Sequence, residues 1–197
     1  MDSTDNLIEN HVKKAKKGSI LFPEVFSAYG SAGAVNISLH RMVKRGLLLR
    51  VAHGVYAKPK TSKLVGDIKP SLDDIAKAIA NRDKVRIIPT GSYALYALGL
   101  STQIPLNVVY LTDGSPRSIK VGNGKIKFKR TSPKILSAKS QRCVLVIQAL
   151  KEIGKGHVNA DEESKIIAIL KEEDRTKLKH DLSLAPRWIG EIMAKAL

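Results

Sequence analysis

Gly18, Gly30, Gly46 and Gly54 divide residues 1–60 so closely that only short elements fit between them. In the first segment Leu7, Ile8, Val12 and Ala15 recur at helical spacing, with Lys13, Lys14, Lys16 and Lys17 on the other faces. That pattern predicts a helix over residues 6–17, stopped by Gly18. Ser19 to Phe22 is a short apolar extended piece. Pro23 has the fixed φ of a first helical turn and opens a small helix to Tyr29. Gly30 and Ser31 break that helix, and the next runs from Ala32 to Arg45 before Gly46 ends it. Leu47–Val51 and Val55–Lys58, joined by a turn at His53-Gly54, read as a hairpin. Helix, short helix, turn, helix and hairpin is the order of a winged helix-turn-helix, expected over residues 1–60.

On the wheel of the third helix, Val35, Leu39, Met42 and Val43 share one apolar stripe that faces a core. Gly33, Ala34, Ile37, His40, Arg41 and Lys44 lie opposite. With Ser31 at its start, this outward face is expected to enter a major groove. Glycine and alanine permit close approach, while Arg41 and Lys44 supply charge. Ile37 fits two readings, a single exposed apolar residue or a contact to a thymine methyl. On the hairpin, Arg50, His53, Lys58 and Lys60 are expected to hold phosphates, which fixes register without reading sequence. His53 beside Gly54 reads as a turn residue and Tyr56 as a packing aromatic.

The charge distribution agrees with a polyanion partner. The 197 residues carry a net charge of +16, and such a surplus favours polyanions. From His11 to Gly66 eleven Lys and Arg face one acid, Glu24; from Gly114 to Lys151 ten face none. Residues 67–113 are balanced, and residues 152–197 carry a balance of −1. The second block contains Arg117, Lys120, Lys125, Lys127, Lys129 and Arg130. Lys125, Lys127 and Lys129 alternate with Ile126 and Phe128, so the lysines share one face of a strand. That face reads as a solvated or aggregation-resistant edge, a second DNA contact, or a surface for an acidic or nucleic-acid-bound partner.

Residues 61–70 are polar and turn-rich and read as a linker to a second, α+β domain over residues 71–197. Ser71 with Asp74 marks a helix start, continuing to about Arg82. Strands are expected at Val85–Ile88 and Asn107–Thr112, with a helix from Gly91-Ser92 to Leu98 between them. Ser118–Val121 and Lys125–Arg130 flank Gly122-Asn123-Gly124, a hairpin signal. The remainder reads as helices at Ser140–Ile153, Ala160–Lys171, Arg175–Leu182 and Pro186–Leu197. In the last, Trp188, Ile189, Ile192 and Met193 form an apolar stripe that reads as core.

Signals for catalysis are weak. Gly91-Ser92 followed by a strand resembles the start of a nucleotidyltransferase site, but that chemistry needs paired carboxylates for metal ions. Asp113 stands alone and, beside Gly114, reads as a turn. Gly154-Lys155-Gly156 lacks the rest of a phosphate loop. The five histidines show no ligand spacing, and the single cysteine, Cys143, lies in an apolar run as an inert thiol. No enzyme activity, metal or cofactor is expected. No apolar run approaches the roughly 18 residues of a membrane span. The acidic start, Met1-Asp2-Ser3-Thr4-Asp5, does not read as a secretory signal, so a cytoplasmic protein without a membrane partner is expected.

Two stretches resemble a known family. Leu39 to Ala57, with Leu-His-Arg-Met-Val-Lys-Arg-Gly-Leu-Leu-Leu-Arg-Val-Ala-His-Gly-Val-Tyr-Ala, is similar to the end of the winged helix in AbiEi-like antitoxins of type IV toxin–antitoxin systems. Thr90 to Pro105, which contains Leu-Gly-Leu-Ser-Thr-Gln-Ile-Pro from Leu98, resembles the start of their second domain, as does Val109 to Gly114. Met42 stands where the family has leucine, a change that conserves volume. The resemblance implies a bacterial repressor that binds inverted repeats at its own promoter. It also implies countering of a nucleotidyltransferase-like toxin in abortive infection, without a stable toxin complex. A stand-alone winged-helix regulator with no toxin partner is the alternative.

Overall fold

Ser3 starts the first helix by accepting the Asn6 N–H on its hydroxyl at 3.3 Å, and α1 runs over Thr4–Lys14. The computed structural model, which describes residues 3–64 and 66–197, is a mixed α+β structure. It divides into two compact units, residues 1–78 with 119–124 and residues 79–118 with 125–197. The division falls inside a helix rather than in the expected linker.

In the first unit, α1 is followed by β1 (Ile20–Leu21), a 3-10 helix (Pro23–Tyr29), α2 (Ala32–Lys44), β2 (Leu49–Ala52) and β3 (Val55–Ala57). The strands form an antiparallel sheet in the order β1-β3-β2, pairing Ile20 with Ala57 and Arg50 with Tyr56. Ile8, Val12, Phe26, Val35, Leu39, Met42 and Leu48 make the core, with Val43 packed at its edge. The expected stripe of α2 is thus the buried one.

One boundary differs for a long-range reason. Gly18 does not end the first helix, which stops at Lys14 with Ala15 extended. The Lys58 ammonium donates to the Lys13 and Ala15 carbonyls at 2.6 and 2.7 Å, satisfying acceptors that further helical turns would have used. A second tie joins α1 to α2. Ser38, buried on α2, donates its hydroxyl to Asp5 at 2.7 Å, and Arg45 reaches Asp5 at 3.1 Å and Glu9 at 2.8 Å.

The expected linker is also corrected. Lys60–Ser62 (β4) and Gly66–Ile68 (β5) form a two-stranded antiparallel hairpin, with Lys60 opposite Ile68. Its residues are polar and mostly exposed, so no apolar alternation announced it. Next comes α3 (Leu72–Asp83), whose start is the expected one: Ser71 and Asp74 each accept the other's backbone N–H, at 3.1 Å.

Next along the chain come β6 (Ile87–Thr90), two residues later than expected, then α4 (Ser92–Ala97), β7 (Asn107–Thr112), β8 (Arg117–Val121) and β9 (Gly124–Arg130). These strands are ordered β6-β7-β9-β8, with β6 and β7 antiparallel and β7 and β9 parallel. On one face Val108, Tyr110, Ile126 and Phe128 are buried, with the Tyr110 and Phe128 rings 6.0 Å apart. Helices follow: the short α5 (Pro133–Leu136), not expected, then α6 (Gln141–Ile153), α7 (Ala160–Lys171), α8 (Arg175–Leu182) and α9 (Arg187–Ala194). Their shared core contains Val146, Ile147, Leu150, Ile166, Leu178, Ile189 and Met193, with Trp188 and Ile192 packed against it.

Candidate nucleic-acid interface

The apolar stripe of α2 is held by the core, so its opposite face is presented to solvent by the same packing that buries the first. Ser31 caps the helix, accepting the Ala34 N–H at 3.3 Å. Gly33, Ile37, His40, Arg41 and Lys44 are all exposed, Ile37 to 57% of its full area, and Ala34 is half-buried. A β-carbon added at Gly33 would meet nothing within 4 Å. The nearest acid to Arg41 is Asp5 at 3.9 Å, and 63% of the Arg41 side chain is exposed, so its guanidinium faces water. Lys44 makes no ion pair among the described residues. The face is therefore cationic, open at its amino-terminal end, and marked by one large exposed aliphatic side chain.

On the hairpin of β2 and β3, Arg50 and His53 are exposed, as is Lys60 just beyond it. Tyr56 is buried with 6% exposure. Lys58 is half-buried, and its ammonium is engaged by the α1 carbonyls. It is a structural cation rather than a free one, because two carbonyls at the negative end of a helix dipole hold it. Arg45, which sequence reasoning did not select, is likewise bound to Asp5 and Glu9. The Lys13 hydrogen bond holds the Glu9 carboxyl below the usual carboxylate range; burial opposes it, and Arg45 adds to the lowering.

The second basic set divides in the same way. Lys125, Lys127 and Lys129 are exposed on one face of β9 while Ile126 and Phe128 are buried on the other, as their alternation required. Lys120 and Arg130 are exposed. Arg117 is not free: it pairs with Asp83 and lies over the Phe128 ring at 5.4 Å. Burial raises the Asp83 pKa, but hydrogen bonds from Arg82 and Arg117 outweigh it and hold the carboxyl low. Nothing local in the sequence around Arg117 announces a partner thirty-four positions away.

Asp113 accepts the Arg86 backbone N–H at 2.8 Å and its Nε at 3.1 Å, so its carboxylate ties the chain just after β7 to the chain just before β6. The backbone bond is the larger cause of its lowered pKa. Cys143 is fully buried, and burial pushes its thiol up to about 11, far from a reactive thiolate. Among the described residues no three His, Cys, Asp or Glu side chains converge as a metal site, and no helix is long and apolar enough to cross a membrane.

The class this geometry defines is an α+β protein of two compact units, the first bearing an exposed cationic helix face. The chain belongs to a family of unknown function, DUF6088, whose model matches residues 7–178. No curated protein matches it.

Proposed function

We propose that this protein is a DNA-binding transcriptional repressor that also acts as the antitoxin of a type IV toxin–antitoxin system. In this reading the first unit is a winged helix-turn-helix, α2 is its recognition helix, and β2 and β3 are its wing. The observation that carries the DNA half is the outward face of α2. Lys44 makes no ion pair among the described residues and Arg41, with one long contact to Asp5 at 3.9 Å, is largely exposed beside Ile37, while open Gly33 lets a nucleic acid approach the backbone. Arg50, His53 and Lys60 then hold flanking phosphates. The antitoxin half rests on the resemblance of Leu39–Ala57 and Thr90–Gly114 to AbiEi-like proteins. The partners are operator inverted repeats and the activity of a nucleotidyltransferase-like toxin.

Gel-shift titration against the DNA upstream of the gene tests the first half. Arg41→Ala and Lys44→Ala are expected to weaken binding, each lowering the salt slope by about 0.9 if it neutralises one phosphate. Gly33→Leu should abolish binding while leaving the fold intact, since a β-carbon at this exposed position meets nothing within 4 Å in the free protein. Unchanged binding in all three variants would remove α2 as the reading helix. Co-expression with the neighbouring gene tests the second half: rescue from growth arrest supports it, and DNA binding without rescue leaves a stand-alone regulator.

A further inference from the structure

A concave site lies wholly within the second unit, about 390 Å³ in volume, between the lysine-bearing face of the sheet and the end of α6. Val109 and Leu111 of β7, both half-buried, form its apolar floor. Around them stand Ser92, Asn107, Lys129, Gln148, Lys151 and Glu152. Among the described residues these six side chains make no hydrogen bond or ion pair with the rest of the protein. Thr90, at the same rim, shows the contrast, since its hydroxyl is engaged by the Val109 carbonyl at 3.2 Å.

Gln148 is the telling residue. It is 5% exposed, sits in α6 among Val146, Ile147, Ala149 and Leu150, and its amide nitrogen is buried without a partner. Buried polar groups are normally hydrogen-bonded, so an unpaired amide in a residue that lines a cavity points to something else that completes it. Gly91 adds to the shape. Its φ of +63° favours glycine, and a β-carbon there would stand 3.6 Å from the Glu152 carboxylate, so the backbone leaves that carboxylate uncovered.

We propose that this pocket binds a mononucleotide. Lys129 and Lys151 supply the two positive charges that a phosphate needs, and Glu152 is an acceptor for the ribose hydroxyls. The amides of Gln148 and Asn107 each offer donors and an acceptor, which is what the edge of a nucleobase pairs with. Val109 and Leu111 offer the base an apolar surface. The volume lies within the roughly 300–1,000 Å³ of small-molecule sites.

The test is calorimetric titration of the full chain with AMP, GMP, CMP and UMP, with the nucleosides and inorganic phosphate as separate arms. At least one nucleotide should saturate, while its nucleoside and phosphate each bind at least about tenfold more weakly. Gln148→Leu and Lys151→Gln should each weaken that nucleotide by about tenfold or more. Lys155→Gln, exposed but outside the pocket, should leave binding unchanged. Thermal unfolding run in parallel should show Gln148→Leu at least as stable as the parent, since the unpaired amide is gone. No saturation at millimolar concentrations by any nucleotide would overturn the proposal. So would phosphate binding as tightly as the nucleotide, or equal losses in Lys155→Gln and Lys151→Gln.

Discussion

Asp181 carries a carboxylate with no solvent exposure at all, and its partners explain how the fold tolerates it. It accepts the Lys139 N–H at 2.9 Å and the Ser140 N–H at 2.8 Å, and its Oδ1 lies 2.7 Å from the His180 ring. Both backbone donors lie at the entry to α6, where the helix dipole also favours a negative charge. Asp181→Ala would leave them unpaired in a dry site, so chemical denaturation should show a loss of about 2–4 kcal/mol. Asp181→Asn keeps one acceptor and should lose less. A loss in Asp181→Ala no greater than that of an exposed Asp→Ala change would refute this account. No sequence pattern marks Asp181, because its backbone donors lie about forty positions upstream. Gln148 was overlooked for the opposite reason, hidden as one amide in an apolar helical run. Ile37, Arg41 and Lys44 were legible, since helical periodicity alone decides which side of α2 faces water.

Elements whose signals are local came out where their residues placed them. Asn107–Thr112, Ala160–Lys171 and Arg175–Leu182 are bounded as expected, by alternation in the strand and by caps such as Asn159 and Asp174 in the helices. Elements set by distant partners did not. The Lys58 ammonium ends α1 ahead of the glycine that advertises a stop. Lys58→Met is therefore expected to cost about 1–2 kcal/mol in denaturant unfolding. If Lys58 only caps the helix, the salt slope of DNA binding should not change in this variant. A drop of about 0.9 would show that it holds a phosphate instead. The hairpin of β4 and β5 escaped because short, exposed strands carry no burial pattern to read.

Across the whole molecule the positive surplus meets its carboxylates in a few engaged places. Glu9, Asp83 and Asp113 all titrate below their ordinary values in the folded state because cations or N–H groups hold them. A depressed folded pKa gives stability that is complete above the unfolded carboxylate value and is lost as pH falls through the folded one. Unfolding free energy should thus stay nearly level from neutral pH to about 5 and fall steeply below about 4. Asp113→Asn should make the fall shallower, and a curve unchanged in that variant would exclude the Arg86 contact as a contributor. The α+β class and the run of closing helices were legible in the periodicities. The place of the boundary between the two units was not, because residues 119–124 group with a segment far upstream of them. The place of β9 between β7 and β8 sets an order of events on the ribosome. β8 emerges before β9 and has no neighbour until the turn at Gly122 and Asn123 folds the later strand back. β9 is what joins β8 to β7, so β8 stays outside the sheet until β9 has been made, and a chain released before residue 124 would leave β8 without its sheet neighbour.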